Sequence, residues 1–273
     1  MKALWVAFHL KTDSLRTISR KICGLKPIFN TKTHKHPMQT PTLRQKIVVL
    51  TGAGISKESG LDTFRDKDGL WQKHDAMRLS SIEGFEQEPQ AVLDFYNARR
   101  KQLLEVEPNE AHKLLAELER WHDVTIITQN IDNLHERAGS THVIHLHGEL
   151  TKVTSSRKPN DARCVKEYPL DVPIRLGDKA EDGSQLRPYI VWFGEYVSGM
   201  EVAEDYVREA DIFAVIGTSL SVYPAAGLTR YAHGSVPKFV VDPNLAVIPT
   251  GFTHIKDTAT RGVAQLIEEI KKL

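Results

Sequence analysis

The sequence predicts an α/β fold: a doubly wound, Rossmann-like parallel sheet with a second, smaller module formed by two insertions. Three observations predict it. Short apolar runs rich in β-branched residues recur without polar alternation, as parallel strands covered on both faces do. Helical patterns lie between them. The first run passes straight into a glycine turn, in "IVVLTGAGISKESGLDTFRD" (residues 47–66), the kind of junction at which such sheets hold a nucleotide.

Taken in order, "IVVLT" (47–51) is the first strand, and residues 66–104 read as helical, including "PQAVLDFYNARRKQLL" (89–104). "NEAHKLLAELERW" (109–121) starts on Asn109, a good N-cap, and carries apolar residues at helical spacing. "VTIIT" (124–128) and "VIHL" (143–146) are the next strands, followed by a polar, proline-bearing, loop-like stretch over 148–187. "YIVWF" (189–193), "IFAVIG" (212–217) and "KFVV" (238–241) continue the parallel sheet. "RGVAQLIEEIKKL" closes the chain as a helix, with Lys271 and Lys272 in its last turn suiting the dipole. The expected partition is a large part over about 40–65, 105–147 and 188–273, and a small module over about 66–104 and 148–187.

The 273 residues are 41% hydrophobic and 26% charged, the composition of an ordinary globular protein. No apolar run approaches the roughly 18–20 residues of a membrane span. Of 36 basic and 35 acidic side chains, eight basic and one acidic fall in residues 1–37, leaving 28 against 34 in the remainder. A mildly acidic body has no global field for nucleic acid, so no specific nucleic-acid partner is expected. Two cysteines, Cys23 and Cys164, make no disulfide framework and fit an intracellular, cytoplasmic protein. The basic, acid-poor stretch 1–37 has the composition of a transit peptide, which implies mitochondria instead; an upstream start, with the chain proper beginning at Met38, is the other reading.

In "TGAGISKESG", Gly52, Ala53 and Gly54 let backbone N–H groups approach a pyrophosphate, but five residues separate Gly54 from the next glycine, which is not a dehydrogenase spacing. "TQNIDNLH" follows a strand and sets Gln129, Asn130 and Asp132 at its carboxyl end. "HLHGEL" puts His147 on the same rim, and "GTSLSVYPAAGL" offers a second polar loop. Ligands of open α/β sheets bind outside these carboxyl ends, so the four loops converge on one crevice.

The set "GAGIS…SG…FR", "TQNID", "HLHGEL", "VWFGE" and "GTSLSVYPAAGL" resembles the sirtuins, the NAD-dependent protein-lysine deacylases, over residues 44–273. The resemblance implies that NAD is consumed: the lysine acyl oxygen attacks the nicotinamide ribose, nicotinamide leaves, and the acyl group departs as O-acyl-ADP-ribose. It implies His147 as general base, Asn130 and Asp132 as holders of the nicotinamide carboxamide and ribose, and Gln129 and Ile131 beside them. Phe64 and Arg65, with Trp71, match the loop that closes over NAD. Ile55 joins the first loop; Gly217, Thr218, Ser219, Asp242, Pro243, Asn244 and Ala259 match the adenosine side. Val191, Trp192, Phe193, Gly194 and Glu195 match a segment that pairs with the acyl-lysine peptide by strand addition.

Two departures stand out. Sirtuins usually carry a four-cysteine zinc site, whereas the matching region here holds only Cys164, with Ser155 where the first cysteine is expected. One thiolate cannot build that site, so no metal is expected. In its place Tyr168, Leu170, Val172, Ile174 and Leu176 alternate with Pro169, Asp171, Pro173, Arg175 and Gly177, as in an edge strand with one buried side. Asp62 stands where the family often has proline.

Tyr96 and Arg99 lie three apart on one helix and share a face. In this family the Tyr-x-x-Arg pair resembles the subgroup that removes acidic acyl groups, and a succinyl or malonyl carboxylate suits a guanidinium fork beside a hydroxyl. Small Ala76, in the same module, leaves room for the longer chain. The expectation is desuccinylation and demalonylation with deacetylation retained; ADP-ribose transfer to protein and a silent NAD sensor are the alternatives. The sequence does not specify the oligomeric state.

Overall fold

Every residue of "KIVVLT" after Lys46 is buried, so this strand has no solvent face and needs cover on both sides. The computed structural model describes residues 44–62 and 76–273. The strands are β1 (Lys46–Thr51), β2 (Asp123–Thr128), β3 (Val143–His145), β4 (Gly148–Ser155), β5 (Lys166–Glu167), β6 (Leu186–Ile190), β7 (Ile212–Ile216), β8 (Lys238–Val241) and β9 (Thr253–Ile255). The helices are α1 (Ala76–Leu79), α2 (Ile82–Gln87), α3 (Pro89–Glu105), α4 (Glu110–Leu118), α5 (Leu134–Ala138), α6 (Met200–Arg208) and α7 (Ala259–Ile270). Among the described residues no helix is long and apolar enough to cross a membrane.

Six strands form one parallel sheet in the order β3-β2-β1-β7-β8-β9. The strand order reverses between β1 and β7, the topological switch point at which such sheets open a crevice at their carboxyl ends. Alternate residues divide between the two faces: Ile47 and Val49 join α4 and α7 in one core, while Val48 and Leu50 join α6 in the other. Asn109 caps α4 as the sequence predicts, its Oδ1 accepting from Ala111 N at 3.0 Å. The predicted parallel sheet is therefore present, with β9 as a strand too short for its pattern to reveal.

The second sheet, β5-β4-β6, is antiparallel and corrects three expectations. Residues 186–190 pair with β4 and do not enter the parallel sheet; an apolar run alone does not encode its partner. The stretch 148–187 is not all loop, since β4 is eight residues long. Residues 168–176 are not an edge strand. Their backbone is satisfied by side chains of α3: Arg100 donates to the carbonyls of Leu150, Pro169 and Val172, and Asn97 exchanges two 2.9 Å bonds with Ile174. Only Ile174 of the alternating set is fully buried, against Leu93 and Val153. Arg100 is wholly buried and lies over the Tyr168 ring, so it is a structural strut.

Candidate active site

Gly52 and Gly54 lie where the β1 and β7 loops touch. A Cβ on Gly54 would sit 2.7 Å from Gly217 Cα, and one on Gly52 would sit 2.7 Å from Thr218 Cβ. The two N–H groups are engaged internally, Gly52 with Ile216 O at 3.0 Å and Gly54 with Gly217 O at 2.8 Å. Gly52, Ala53 and Gly54 all line the cavity, and the close contact makes the two glycines serve backbone packing at the switch point as well. Ala53 opens the following turn, and its N–H donates to no carbonyl among the described residues.

Four loop ends meet around this contact in a cavity of about 780 Å³. The Gln129 amide donates to Thr218 Oγ1 at 3.1 Å and so ties the β2 end to the β7 end. Asn130 is buried, and its amide donates to Gly52 O at 3.2 Å and Ser56 Oγ at 3.1 Å. Ser56 in turn donates to Asp132 Oδ2 at 3.0 Å, while Leu134 N donates to Oδ1 at 3.1 Å. Burial pushes the Asp132 carboxyl above its ordinary pKa, and these donors oppose the shift. Ser56 links the two candidate catalytic side chains, and sequence reasoning missed it; its signal was a hydroxyl directly after the glycine turn.

His147 Nδ1 lies 2.9 Å from the Gln129 carbonyl. A carbonyl only accepts, so Nδ1 carries the proton and Nε2 keeps the basic lone pair. Burial lowers the imidazole's pKa from its ordinary value, with the carbonyl pulling the other way. His145, also missed, holds the next carbonyl: its Nδ1 is 3.1 Å from Asn130 O and its Nε2 is 2.7 Å from Glu136 Oε1. Two histidines of "HLHGEL" thus strap the backbone that presents Gln129, Asn130, Ile131 and Asp132.

The β7 and β8 loops complete one wall with Gly217, Thr218, Ser219, Asp242, Pro243 and Asn244; Ala259, at the start of α7, lies beside them. Asp242 is buried and its Oδ1 accepts from Asn244 N at 2.8 Å. Ile55 is buried in the core beneath the loop and does not line the cavity. Backbone amides, hydroxyls and carboxamides spread along the crevice fit the phosphate, ribose and amide groups of a dinucleotide. Phe64, Arg65 and Trp71 lie outside the described residues.

Opposite stand Val191, Trp192, Phe193, Gly194 and Glu195. The expected docking strand is a folded-back loop. Val191 N donates to His147 O at 2.9 Å, Phe193 N to Ser80 O at 2.7 Å, Trp192 N to Glu195 Oε2 at 2.8 Å, and Glu195 N to Trp192 O at 2.9 Å. Four of its five N–H groups are therefore unavailable to a peptide, because the loop must first brace the module.

Tyr96 and Arg99 do reach the cavity from α3. Tyr96 is 3% exposed, and burial raises its pKa. Burial lowers that of Arg99, with Tyr96, Asp132 and Asp62 opposing. Arg99 Nη1 is buried and, among the described residues, has no hydrogen-bond partner. Away from the cavity, Ser155 Oγ accepts from Arg157 N and Lys158 N at 3.0 and 2.9 Å and lies 2.8 Å from both Asp182 Oδ2 and Ser184 Oγ. Among the described residues no three His, Cys, Asp or Glu side chains converge as metal ligands, and Cys164 is a buried free thiol.

The family model described as the Sir2 family matches residues 52–224. An NAD-dependent protein deacylase of Bacteroides thetaiotaomicron is 53% identical over 230 residues, covering 84% of this chain and 97% of the relative. One of Helicobacter pylori is 49% identical over 228 residues, covering 83% and 97%. Among solved structures, a mutant Sir2 homologue bound to ADP ribose superposes with a TM-score of 0.74 at 34% identity, covering 84% of this chain and 93% of the other. A Sir2 homologue in complex with NAD gives 0.72 at 35% identity, covering 84% and 90%.

Proposed function

The chain belongs to the Sir2 family, and on that premise we propose that it removes acyl groups from protein lysines in an NAD-dependent reaction, with a preference for acyl chains that end in a carboxylate. The carrying observation is that one cavity is lined by His147, by the glycine, Gln129–Asp132 and Thr218 loops, and by Tyr96 and Arg99. NAD supplies an electrophilic ribose carbon with nicotinamide as its leaving group. The chain's own part is to bind, orient and take up a proton. Asn130 and Asp132, joined through Ser56, orient the nicotinamide and ribose end. His147, neutral with its basic Nε2, takes the proton from a ribose hydroxyl. Closing the crevice keeps water from the reacting carbon.

The acyl preference is supported by the buried Arg99 guanidinium nitrogen, which has no hydrogen-bond partner among the described residues. A buried donor left unpaired is unfavourable, and a carboxylate on the substrate supplies the missing acceptor with charge assistance. We read the small module as zinc-free, because Ser155 completes its turn with hydrogen bonds where a metal ligand is usual in the resemblance drawn above.

The test is NAD-dependent turnover of matched acetyl-, malonyl- and succinyl-lysine peptides, followed by mass spectrometry, with His147→Tyr as control. Succinyl turnover exceeding acetyl, O-acyl-ADP-ribose as product, and loss of both in the control are expected. Transfer of ADP-ribose to the peptide, or nicotinamide release without deacylation, would overturn the reading.

A further inference from the structure

Three consecutive carbonyls of the loop that carries Asn130 and Asp132 accept from one short segment. Gln129 O takes the Nδ1–H of His147 at 2.9 Å, Asn130 O that of His145 at 3.1 Å, and Ile131 O the Leu150 N–H at 2.8 Å. Among the described residues, only His145 of these three donors has a second partner competing for its protons. Its Nε2 lies 2.7 Å from Glu136 Oε1 on α5, the helix that starts at Leu134, just beyond the loop. His145 is the last residue of β3, opposite Thr128 at the end of β2, and its side chain is 7% exposed. One buried ring therefore joins β3, the loop and α5.

The two partners set the proton count. A carbonyl only accepts, and so does an ionised carboxylate, so serving both requires a proton on each ring nitrogen. His145 is then an imidazolium, the opposite of neutral His147 beside it. Burial opposes that charge, but the hydrogen bond and charge of Glu136 outweigh it and raise the pKa above its ordinary value. For Glu136, burial pushes the carboxyl up, and His145 outweighs burial and brings it below its ordinary value. The other titratable groups facing the pair are Asp132 of the loop, Glu149 and Lys152 of β4, His135 of α5 and His112 of α4. Lys152 donates to Glu149 at 2.6 Å, which leaves Glu136 as the main partner of the ring.

When the imidazolium loses a proton, one proton remains for two acceptors. The carboxylate is the stronger acceptor, so that proton sits on Nε2 and Nδ1 turns a lone pair toward Asn130 O. The middle carbonyl of the loop then has no donor. The placement of Asn130 and Asp132 thus depends on a proton held outside the cavity, whose lining includes neither Glu136 nor His145.

We propose that Glu136 and His145 are a positioning pair for NAD cleavage: an imidazolium clamped between Glu136 and the Asn130 carbonyl holds Asn130 and Asp132 in place for the nicotinamide ribose. The proposal rests on the NAD-dependent reading above and adds two residues that act through its loop.

The test is kcat/KM for NAD with saturating acyl-lysine peptide from pH 6 to 9, for the full chain and for Glu136→Gln, His145→Asn and His145→Leu. His147 alone predicts a plateau on the alkaline side; the pair adds a one-proton fall there. Glu136→Gln offers Nε2 an amide donor and leaves the single ring proton for Asn130 O, so the fall should vanish. His145→Asn keeps an N–H for the carbonyl without titrating, and should also lack the fall. His145→Leu leaves the carbonyl unpaired and should lower kcat/KM about tenfold at every pH. A merely structural pair would lower Tm in the variants yet give all four proteins one shape of pH profile. That result, or full activity in His145→Leu, overturns the proposal. If the unaltered protein turns over no acyl peptide, the deacylase reading fails, and NAD affinity by calorimetry on the same four proteins decides this one. The same pH pattern then upholds the pair, and one pH-independent affinity in all four overturns it. Should His145→Leu not fold, Glu136→Gln decides, since it keeps the size of the side chain and removes only its charge.

Discussion

His147 donates its Nδ1–H to the Gln129 backbone carbonyl across 2.9 Å, so the base and the NAD-facing loop are mechanically one unit. The bond assigns the tautomer, and the burial that accompanies it keeps the ring neutral.

A neutral base sets the pH profile. The His147 pKa lies below 6.5, so the working, deprotonated form dominates above that value. Activity rises with pH along an acid limb whose midpoint lies below 6.5 and is flat through neutrality on this account. His147→Tyr should lower turnover by about a hundredfold or more, the usual worth of a general base. A kcat/KM profile from pH 5 to 8 checks both.

Replacing Arg99 by Met keeps the length of the side chain and removes its charge. Succinyl-peptide kcat/KM should fall by about tenfold to a hundredfold relative to acetyl-peptide, from roughly 1.5–3 kcal/mol for a charge-assisted hydrogen bond. An equal loss with both peptides would return Arg99 to a structural role.

The Gly217 position tolerates no side chain. Its φ is +63°, and a Cβ would meet Ile55 N at 2.4 Å and Gly54 C at 2.7 Å. Gly217→Ala should cost at least about 1–3 kcal/mol of stability from strain, and should weaken NAD binding by parting the two loops. Thermal melts with and without NAD report both effects: a lower Tm, and a smaller upward shift on adding NAD.

His112 is fully buried, stacks edge-on to His135 at 4.9 Å, and has no partner for either ring nitrogen among the described residues. Burial lowers its pKa to about 4. The unfolded chain therefore binds more protons between pH 6.5 and 4, and stability falls as the pH drops through that window. The loss from this group is about 3 kcal/mol by pH 4. Urea unfolding of His112→Leu beside the unaltered protein should show a shallower pH dependence for the variant.

Ser155→Ala removes an acceptor for two backbone N–H groups and should lower stability by about 1–3 kcal/mol. Urea unfolding with and without added zinc checks it together with the zinc-free reading. Stabilisation by the metal, or stoichiometric zinc in purified protein, would contradict that reading.

The crevice was legible because its residues sit at fixed steps after apolar strands: Gly52 and Gly54 after β1, Gln129 to Asp132 after β2, His147 after β3, and Gly217 to Ser219 after β7. Ser56, Ser80 and His145 were not legible, because their importance lies in hydrogen bonds to residues distant in the chain. Arg100 beside Arg99 makes the same point. One is the buried strut of the module and the other lines the cavity, and the helix turn between them decides which.

The sequence by itself determined the parallel sheet, the order of its loops, and the family to which they point, because burial on both faces leaves a local pattern of β-branched residues and glycine turns. Tertiary structure alone decided which sheet residues 186–190 join, that residues 168–176 hang from α3 side chains, and that the glycine N–H groups face carbonyls of a neighbouring loop. Strand partners and the acceptors of buried donors are chosen across the chain, by whatever leaves fewest polar groups unpaired, and no local pattern records that choice.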